Sequence, residues 1–246
     1  MILGILQARC SSKRLPEKVL KPILGKPMIL RQIERLQRAK QLSKVMLATS
    51  NHEDDKKLAH VCRQNEVPVF RGNLDDVLDR FYQASIMLPE RASHLVRLTG
   101  DCPLADPHLI DQIITFHLKG NFDYSSNTLE PTFPDGLDVE IFTFKSLEEA
   151  QAKAKLKKER EHVTPYIYRN PEHFKLGSFK QAIDLSHLRW TVDEADDFEL
   201  VSQIYQALYP TKPGFNTADI LHWLDAHPQY KTFNLSHKRN ESFHNS

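Results

Sequence analysis

Apolar residues along this chain fall into two alternating rhythms. Short β-rich runs occupy 2–7, 44–49, 67–70 and 94–98, and between them apolar positions recur at helical spacing near 27–41, 54–65, 75–88 and 107–118. Strand then helix, repeated four times, is the order of right-handed βαβ units. The first run, Ile2-Leu3-Gly4-Ile5-Leu6, has no polar position, as a parallel strand buried on both faces requires. The pattern predicts an α/β fold of three layers, with helices on both faces of a mostly parallel sheet.

Beyond residue 121 the rhythm breaks. Phe122-Asp123-Tyr124-Ser125 and Leu137 to Phe142 read as further strands around a Pro- and Asp-rich loop, and helical spacing returns at 144–157, 159–169, 195–208 and 217–226. No internal repeat is visible. A length of 246 residues suits one large α/β domain, which we place at 1–232 with a first half at 1–120 and a second at 121–232. The polar, histidine-containing tail at 233–246 is expected to fray.

Charge and cysteine content narrow the function classes. Lys plus Arg number 33 against 32 Asp plus Glu, so no global field draws the chain to nucleic acid or to a membrane surface. No run approaches the ~18 apolar residues of a membrane span, and the apolar N-terminus lacks a basic leader and a small-residue cleavage site. Cys10, Cys62 and Cys102 are odd in number and widely spaced, which argues against a disulfide framework or a zinc pair and for a reduced, cytoplasmic setting. Neither G-x-S-x-G nor H-E-x-x-H occurs, and the twelve histidines are scattered.

Against that neutral background, one segment is locally basic. Directly after the first strand, Gln7 to Lys18 gathers Arg9, Lys13, Arg14 and Lys18 with the hydroxyls of Ser11 and Ser12, and contains no glycine. Glycine-rich phosphate loops are therefore excluded, and neutralisation by side chains remains: arginine forks and a lysine point charge. A solvated basic turn is the competing reading. Its place at the carboxyl edge of a buried strand favours a ligand, because open α/β sheets bind ligands there.

Two carboxylates belong to the same edge. Asp101 follows the strand His94 to Leu98, with Gly100 to bend the chain and Pro103 to stop it, while Asp106-Pro107 supplies the cap of the next helix. Asp101 is thereby freer to serve as an oxygen ligand for a hard cation. Asp193 follows Trp190-Thr191-Val192, which reads as a short strand, and either caps the next helix or ligates the same cation. Asp196, Asp197 and Glu199 suit the positive end of that helix's dipole.

The stretch from Gln7 to Ile29 resembles the N-terminal motif of cytidylyltransferases that make CMP-linked acidic sugars. Their pattern A-R-x-x-S-x-R-L-P-x-K-x-L is present from Ala8 to Leu20, followed by Gly25-Lys26-Pro27-Met28. Thr99-Gly100-Asp101-Cys102-Pro103-Leu104, Pro134 to Glu140, Arg160 to Tyr166 and Arg189-Trp190-Thr191-Val192-Asp193 resemble the SpsF-type branch, so the likeness spans roughly residues 1–208. Glu17 departs from it, standing where such proteins often carry glycine.

The resemblance implies a nucleotide-diphospho-sugar transferase (GT-A-like) fold, a homodimer, and a Mg²⁺-assisted attack of a sugar hydroxyl on the α-phosphate of CTP. The first half would bind nucleotide and the second would bind sugar and pair subunits. Lys18, Arg9 and Arg14 take the catalytic roles. Ala8, Ser11, Ser12, Thr49, Arg71, Gly72 and Arg80 join them around the nucleotide, although Arg80 equally suits a pair with Asp76 one turn earlier. Asp101 and Asp193 take the metal. Asn127, Asp135, Asp138, Glu140, Glu161, His162 and Tyr166 take the sugar, with His162 and Tyr166 on one face if their segment is helical. The surplus of acids there is offset by Arg160, Arg169 or Arg189. Two other functions fit the same residues: a glycosyltransferase using a nucleotide-sugar donor, and a nucleotide-binding regulatory protein without turnover. A glycosyltransferase of this fold usually carries Asp-x-Asp after a central strand, and Thr99-Gly100-Asp101 lacks the first acid.

Overall fold

A computed structural model of the protein describes residues 1–234. Seven strands form one sheet: β1 (Ile2–Gln7), β4 (Lys44–Ser50), β5 (Val69–Gly72), β6 (His94–Thr99), β7 (Tyr124–Ser126), β8 (Glu140–Thr143) and β9 (Leu176–Ser178). Their order is β5-β4-β1-β6-β8-β7-β9. The left half, β5 to β6, is wholly parallel, whereas β8 runs antiparallel to both β6 and β7, and β7 and β9 are again parallel. A small hairpin of β2 (Pro22–Ile23) and β3 (Lys26–Pro27) turns through Leu24 and Gly25. Neither that hairpin nor β9 is expected from the apolar pattern, both being too short to show alternation.

Helices cover the sheet on both faces. They are α1 (Met28–Leu36), α2 (Lys56–Gln64), α3 (Val77–Ile86), α4 (Pro107–Gly120), α5 (Phe144–Lys153), α6 (Lys157–His162), α7 (Pro165–Tyr168), α8 (Ala195–Leu208) and α9 (Thr217–Ala226). One apolar layer packs α1, α2, α4, α8 and α9 on one face, and a second packs α3, α5 and α7 on the other. Alternate residues of β1 serve both layers: Leu6 the first, Leu3 and Ile5 the second. That two-sided burial is why Ile2 to Leu6 carry no polar side chain.

Several boundaries depart from expectation for local reasons. β5 starts at Val69, two residues late, because Pro68 has no N–H and Val67 donates back to Cys62. The expected helix at 159–169 is two helices, since Val163 takes φ 72° and Pro165 begins a new turn. His162 and Tyr166 consequently do not share a helical face. β8 starts at Glu140 instead of Leu137 because the Asn127 side chain claims the preceding backbone: its amide donates to the Leu137 carbonyl at 2.8 Å and accepts from Val139 N–H at 2.9 Å. Trp190-Thr191-Val192 forms no strand; only Arg189 makes an isolated bridge, to Asp135. Of the expected tail, Phe233 is exposed and Asn234 is buried, and 235–246 lie outside the described residues.

Candidate active site

β1 ends at Gln7 and hands the chain to the basic loop, which is folded around one carbonyl. The Cys10 carbonyl accepts from Ser12 N–H at 2.8 Å and Glu17 N–H at 3.1 Å, closing the loop on itself. Its far side is pinned by Asp55, whose carboxylate accepts Cys10 N–H at 2.6 Å and the Ser50 hydroxyl, tying the loop to the end of β4. Glu17 closes the turn with φ 52° and ψ 23°, a left-handed conformation natural to glycine. The expected substitution of glycine by glutamate therefore falls on the one residue of the loop that needs left-handed backbone. A single 3-10 turn, Lys18–Leu20, follows and carries Lys18 inward.

Close approach of the strand ends sets where the carboxylates stand. A Cβ on Gly100 would lie 2.6 Å from the Ala8 Cβ, so glycine is required for β6 and the basic loop to converge. Gly136, at φ 104°, brings the 134–138 loop against Trp190 and Thr191 with no room for a side chain. Val192 N–H then donates to the Asp101 carbonyl at 2.8 Å and sets Asp193 beside Asp101.

Lys18 is the focus of this convergence. Its ammonium donates to the Val192 carbonyl at 2.7 Å and to Asp193 Oδ1 at 2.8 Å, and lies 3.6 Å from Asp101 Oδ2. Burial pulls the ammonium pKa down, but Asp101 and Asp193 outweigh it, and the net shift is upward. Burial likewise raises the Asp193 carboxyl, and Lys18, Arg14 and Arg189 more than reverse it. Arg14 reaches Asp193 and Glu194, each at 3.1 Å. Two carboxylates converging on one cation are a donor set for a hard dication. Among the described residues no group of three or more His, Cys, Asp or Glu is placed to hold a metal ion.

Beside these groups opens a cleft of about 520 Å³, whose lining includes Arg14, Asp101, Asp193, Asp135, Asp138, His162, Thr164 and Tyr168. Glu140 forms its floor. It accepts from Arg97, from Tyr124 Oη at 2.6 Å and from Thr164 Oγ1 at 2.6 Å. Burial lowers the Arg97 pKa, and Glu140 overcomes this and raises it, so the guanidinium stays charged at the floor. Burial lowers the His162 pKa. Asp135 contacts Arg189 at 3.1 Å.

The remaining sequence-expected residues surround this cleft without lining it. Arg9 and Ser11 are exposed on the loop, and the Ser12 hydroxyl accepts from Leu15 N–H at 3.4 Å. Ala8 and Thr49 are buried, Thr49 completely, with no partner for its hydroxyl. Arg71 clasps the loop after β4 by donating to the Ser50 carbonyl at 3.0 Å and the His52 carbonyl at 2.7 Å. The Arg80 stem packs over Gly72, and its guanidinium donates to the Asn73 carbonyl at 2.8 Å. Burial, then the neighbouring charge of Arg9, depresses its pKa to about 10. The expected Arg80–Asp76 pair does not form, because Asp76 is taken by a bidentate Arg160 at 2.6 Å. Asn127 is buried in its backbone role. Glu161 is only half-buried, and Tyr166 packs on Phe174 with ring centroids 6.0 Å apart.

Asp55, Arg97, Thr164 and Tyr168 are absent from the sequence-based site. Arg97 had a signal, a charge inside an otherwise apolar strand. Asp55 had none, since Glu53-Asp54-Asp55 reads as an ordinary acidic helix start.

The sequence profile of the cytidylyltransferases matches residues 3–221, nearly the whole described chain. The chain belongs to the cytidylyltransferase family. This cytidylyltransferase is 38% identical over 244 residues to an uncharacterised protein of Methanocaldococcus jannaschii, covering 98% of this chain and 97% of that one. It is 30% identical over 243 residues to the spore coat polysaccharide biosynthesis protein SpsF of Bacillus subtilis, covering 94% and 97%. Among solved structures, a cytidylyltransferase from Leptospira borgpetersenii is similar with a TM-score of 0.88 and 31% identity over 95% of this chain and 97% of that one. A CMP:2-keto-3-deoxy-manno-octonic acid synthetase complexed with CTP shares the fold, with a TM-score of 0.65 and 17% identity over 84% and 99%. The cytidylyltransferase is accordingly a CTP-using nucleotidyltransferase with the nucleotide-diphospho-sugar transferase fold. Among the described residues no helix is long and apolar enough to cross a membrane.

Proposed function

We propose that this cytidylyltransferase couples CTP to a sugar, an acidic nonulosonic-type sugar by resemblance, to give a CMP-sugar and pyrophosphate for cell-surface or spore-coat polysaccharide. The observation that carries the reading is Lys18, held between Asp101 and Asp193, which line the cleft. An anomeric hydroxyl oxygen attacks the α-phosphorus, the bond from phosphorus to the α–β bridging oxygen breaks, and pyrophosphate leaves with that electron pair. The hydroxyl proton is lost. Such a reaction asks the protein for positioning and charge neutralisation more than covalent chemistry.

In this reading Lys18 contacts the α-phosphate and Arg9 and Arg14 the outer phosphates, while Ser11 and Ser12 add donors from the same loop. Thr49, Arg71, Gly72 and Arg80 shape the nucleoside end from within. Asp135, Asp138, Glu140 and His162 face the sugar. Asp101 and Asp193 would hold Mg²⁺, which when bound neutralises charge on the triphosphate. The reading extends to a cytoplasmic setting, which three buried free thiols suit, and to pairing with a second copy.

Pyrophosphate release tests it. The protein with Mg²⁺-CTP and a panel of free sugars should release pyrophosphate in step with a CMP-sugar for one sugar class and none for sugar omitted. Release of a nucleoside diphosphate from a nucleotide-sugar, with no pyrophosphate from CTP under any sugar, would overturn it.

A further inference from the structure

Asp193 is held from behind by Arg189 and Asp197, and these in turn by Asn234, which lies beyond the residues the family profile matches. Its Oδ2 contacts Arg189 Nη2 at 3.2 Å, and Arg189 is itself locked to Asp197, a carboxylate with no exposed surface. Asp197 Oδ2 accepts from Arg189 Nη2 at 2.9 Å and from the N–H groups of Asp193 at 2.9 Å and Glu194 at 3.0 Å. Its Oδ1 accepts from Arg189 Nε at 2.9 Å and from Asn234 Nδ2 at 2.7 Å. The same Asn234 amide donates to the Arg189 carbonyl at 3.1 Å. One side-chain amide therefore grips both the backbone of Arg189 and the carboxylate that Arg189 is paired with.

Asn234 is brought there by a built segment. α9 is tied to the core where Asp106 accepts Thr217 N–H at 2.9 Å and its hydroxyl at 2.6 Å. From α9 an aromatic ladder runs outward, Trp223 on Tyr230 at 5.1 Å and Tyr230 beside Phe233 at 5.8 Å, and ends at Asn234, which is 2% exposed. Burial matters here because a hydrogen bond to a carboxylate shielded from water has no solvent substitute. Without the amide, Asp197 Oδ1 keeps one donor, and the arginine fork that sets Asp193 loses its brace.

We propose that Asn234 is a positioning residue of the active site, fixing the Asp193 carboxylate through Asp197 and Arg189, so that the segment after α9 supports from behind the wall that faces the metal. This rests on the proposed role of Asp193 at the metal. Asn234 touches no substrate in this scheme; its effect travels through the ion pair.

The test is binding of Mn²⁺-CTP to the full chain, read by the enhancement of water-proton relaxation, beside calorimetric binding of CTP in EDTA. Asn234→Ala should weaken Mn²⁺-CTP binding about tenfold, the size of effect usual for a group that orients a metal ligand, and leave metal-free CTP binding unchanged. A merely structural residue would move both affinities or neither. Asn234→Ser, which cannot span both acceptors, should show the same split and serves if the alanine variant does not fold. Wild-type Mn²⁺-CTP affinity in either folded variant overturns the proposal. Asp193→Asn separates the two layers of the inference: if it weakens Mn²⁺-CTP and Asn234→Ala does not, the brace is wrong. If Asp193→Asn changes nothing, the metal role of Asp193 is wrong, and the brace falls with it.

Discussion

Val192 donates its N–H to the Asp101 carbonyl at 2.8 Å. That one backbone bond joins the end of a central strand to a segment that belongs to no strand, and it sets two carboxylates around the Lys18 ammonium. The site is thus assembled by chain crossing more than by any single motif, and each contributing segment can be tested separately.

Lys18→Ala removes the cation shared by Asp101 and Asp193. Turnover at saturating Mg²⁺-CTP should fall by about 10²-fold or more, the scale for losing one preorganised charge-stabilising group. Pyrophosphate release under single-turnover conditions checks it, with circular dichroism to show that the fold persists. A wild-type rate would take Lys18 out of the chemistry.

Asp101→Asn keeps the shape of the strand end and deletes one negative charge. The Mg²⁺ concentration for half-maximal rate should rise on the order of tenfold, because a hard dication bound by two carboxylates loses one of them. An unchanged Mg²⁺ titration at fixed CTP would move the metal elsewhere.

Glu17→Gly should stabilise the protein. A side chain in left-handed backbone costs roughly 1–2 kcal/mol, while glycine's greater freedom when unfolded returns roughly 0.5–1 kcal/mol of that, leaving a net gain of about 0.5–1 kcal/mol. The exposed Glu17–Lys57 contact at 3.2 Å subtracts little. A higher urea midpoint with unchanged slope is the expected result, and a lower one would show that Glu17 contributes something besides strain.

His117 makes stability depend on acidity. It has no exposed surface, its Nδ1 lies 2.9 Å from Ser125 Oγ, and its ring meets His94 edge-on at 5.2 Å. Burial first, then His94, lowers its pKa from 6.5 to about 4. The folded protein keeps it neutral while the unfolded chain takes up a proton below pH 6.5, so its contribution is complete above that pH and is lost as pH falls towards 4. The loss reaches about 2 kcal/mol by pH 5. Urea unfolding at pH 7.5 and pH 5 should show it, and His117→Gln should flatten the difference.

Elements with their own start signals were legible in sequence. α8 and α9 lie at 195–208 and 217–226 as expected, and the Asn216–Asp219 capping box marks the start of the second. Where tertiary contacts overrule local pattern, the sequence misleads: α6 and α7 look continuous until Val163 takes φ 72°. The convergence of Arg14, Lys18 and Asp101 could be anticipated because each sits at a break in apolar periodicity after a strand, and Asp193 because it follows the apolar Trp190-Thr191-Val192, although that segment forms no strand. Asp55 and Asn234 could not, since the bonds that matter, Asp55 to Cys10 and Asn234 to Arg189 and Asp197, join residues far apart in sequence and leave no local trace. Asp197 was visible only as a helix-start acid, which hides its role as the buried partner of Arg189.

The amide of Asn127 also says something about how this scaffold could change. By standing in for a strand neighbour beside Leu137 and Val139, it takes over where the pairing of β7 with β8 ends at Ser126 and Glu140, next to Thr128, Asp135 and Asp138, which line the cleft. Chain length between residues 127 and 139 is therefore decoupled from strand register. Insertions or deletions there could widen or narrow the mouth for a different acceptor, while the parallel half that carries Lys18 and Asp101 stays as it is.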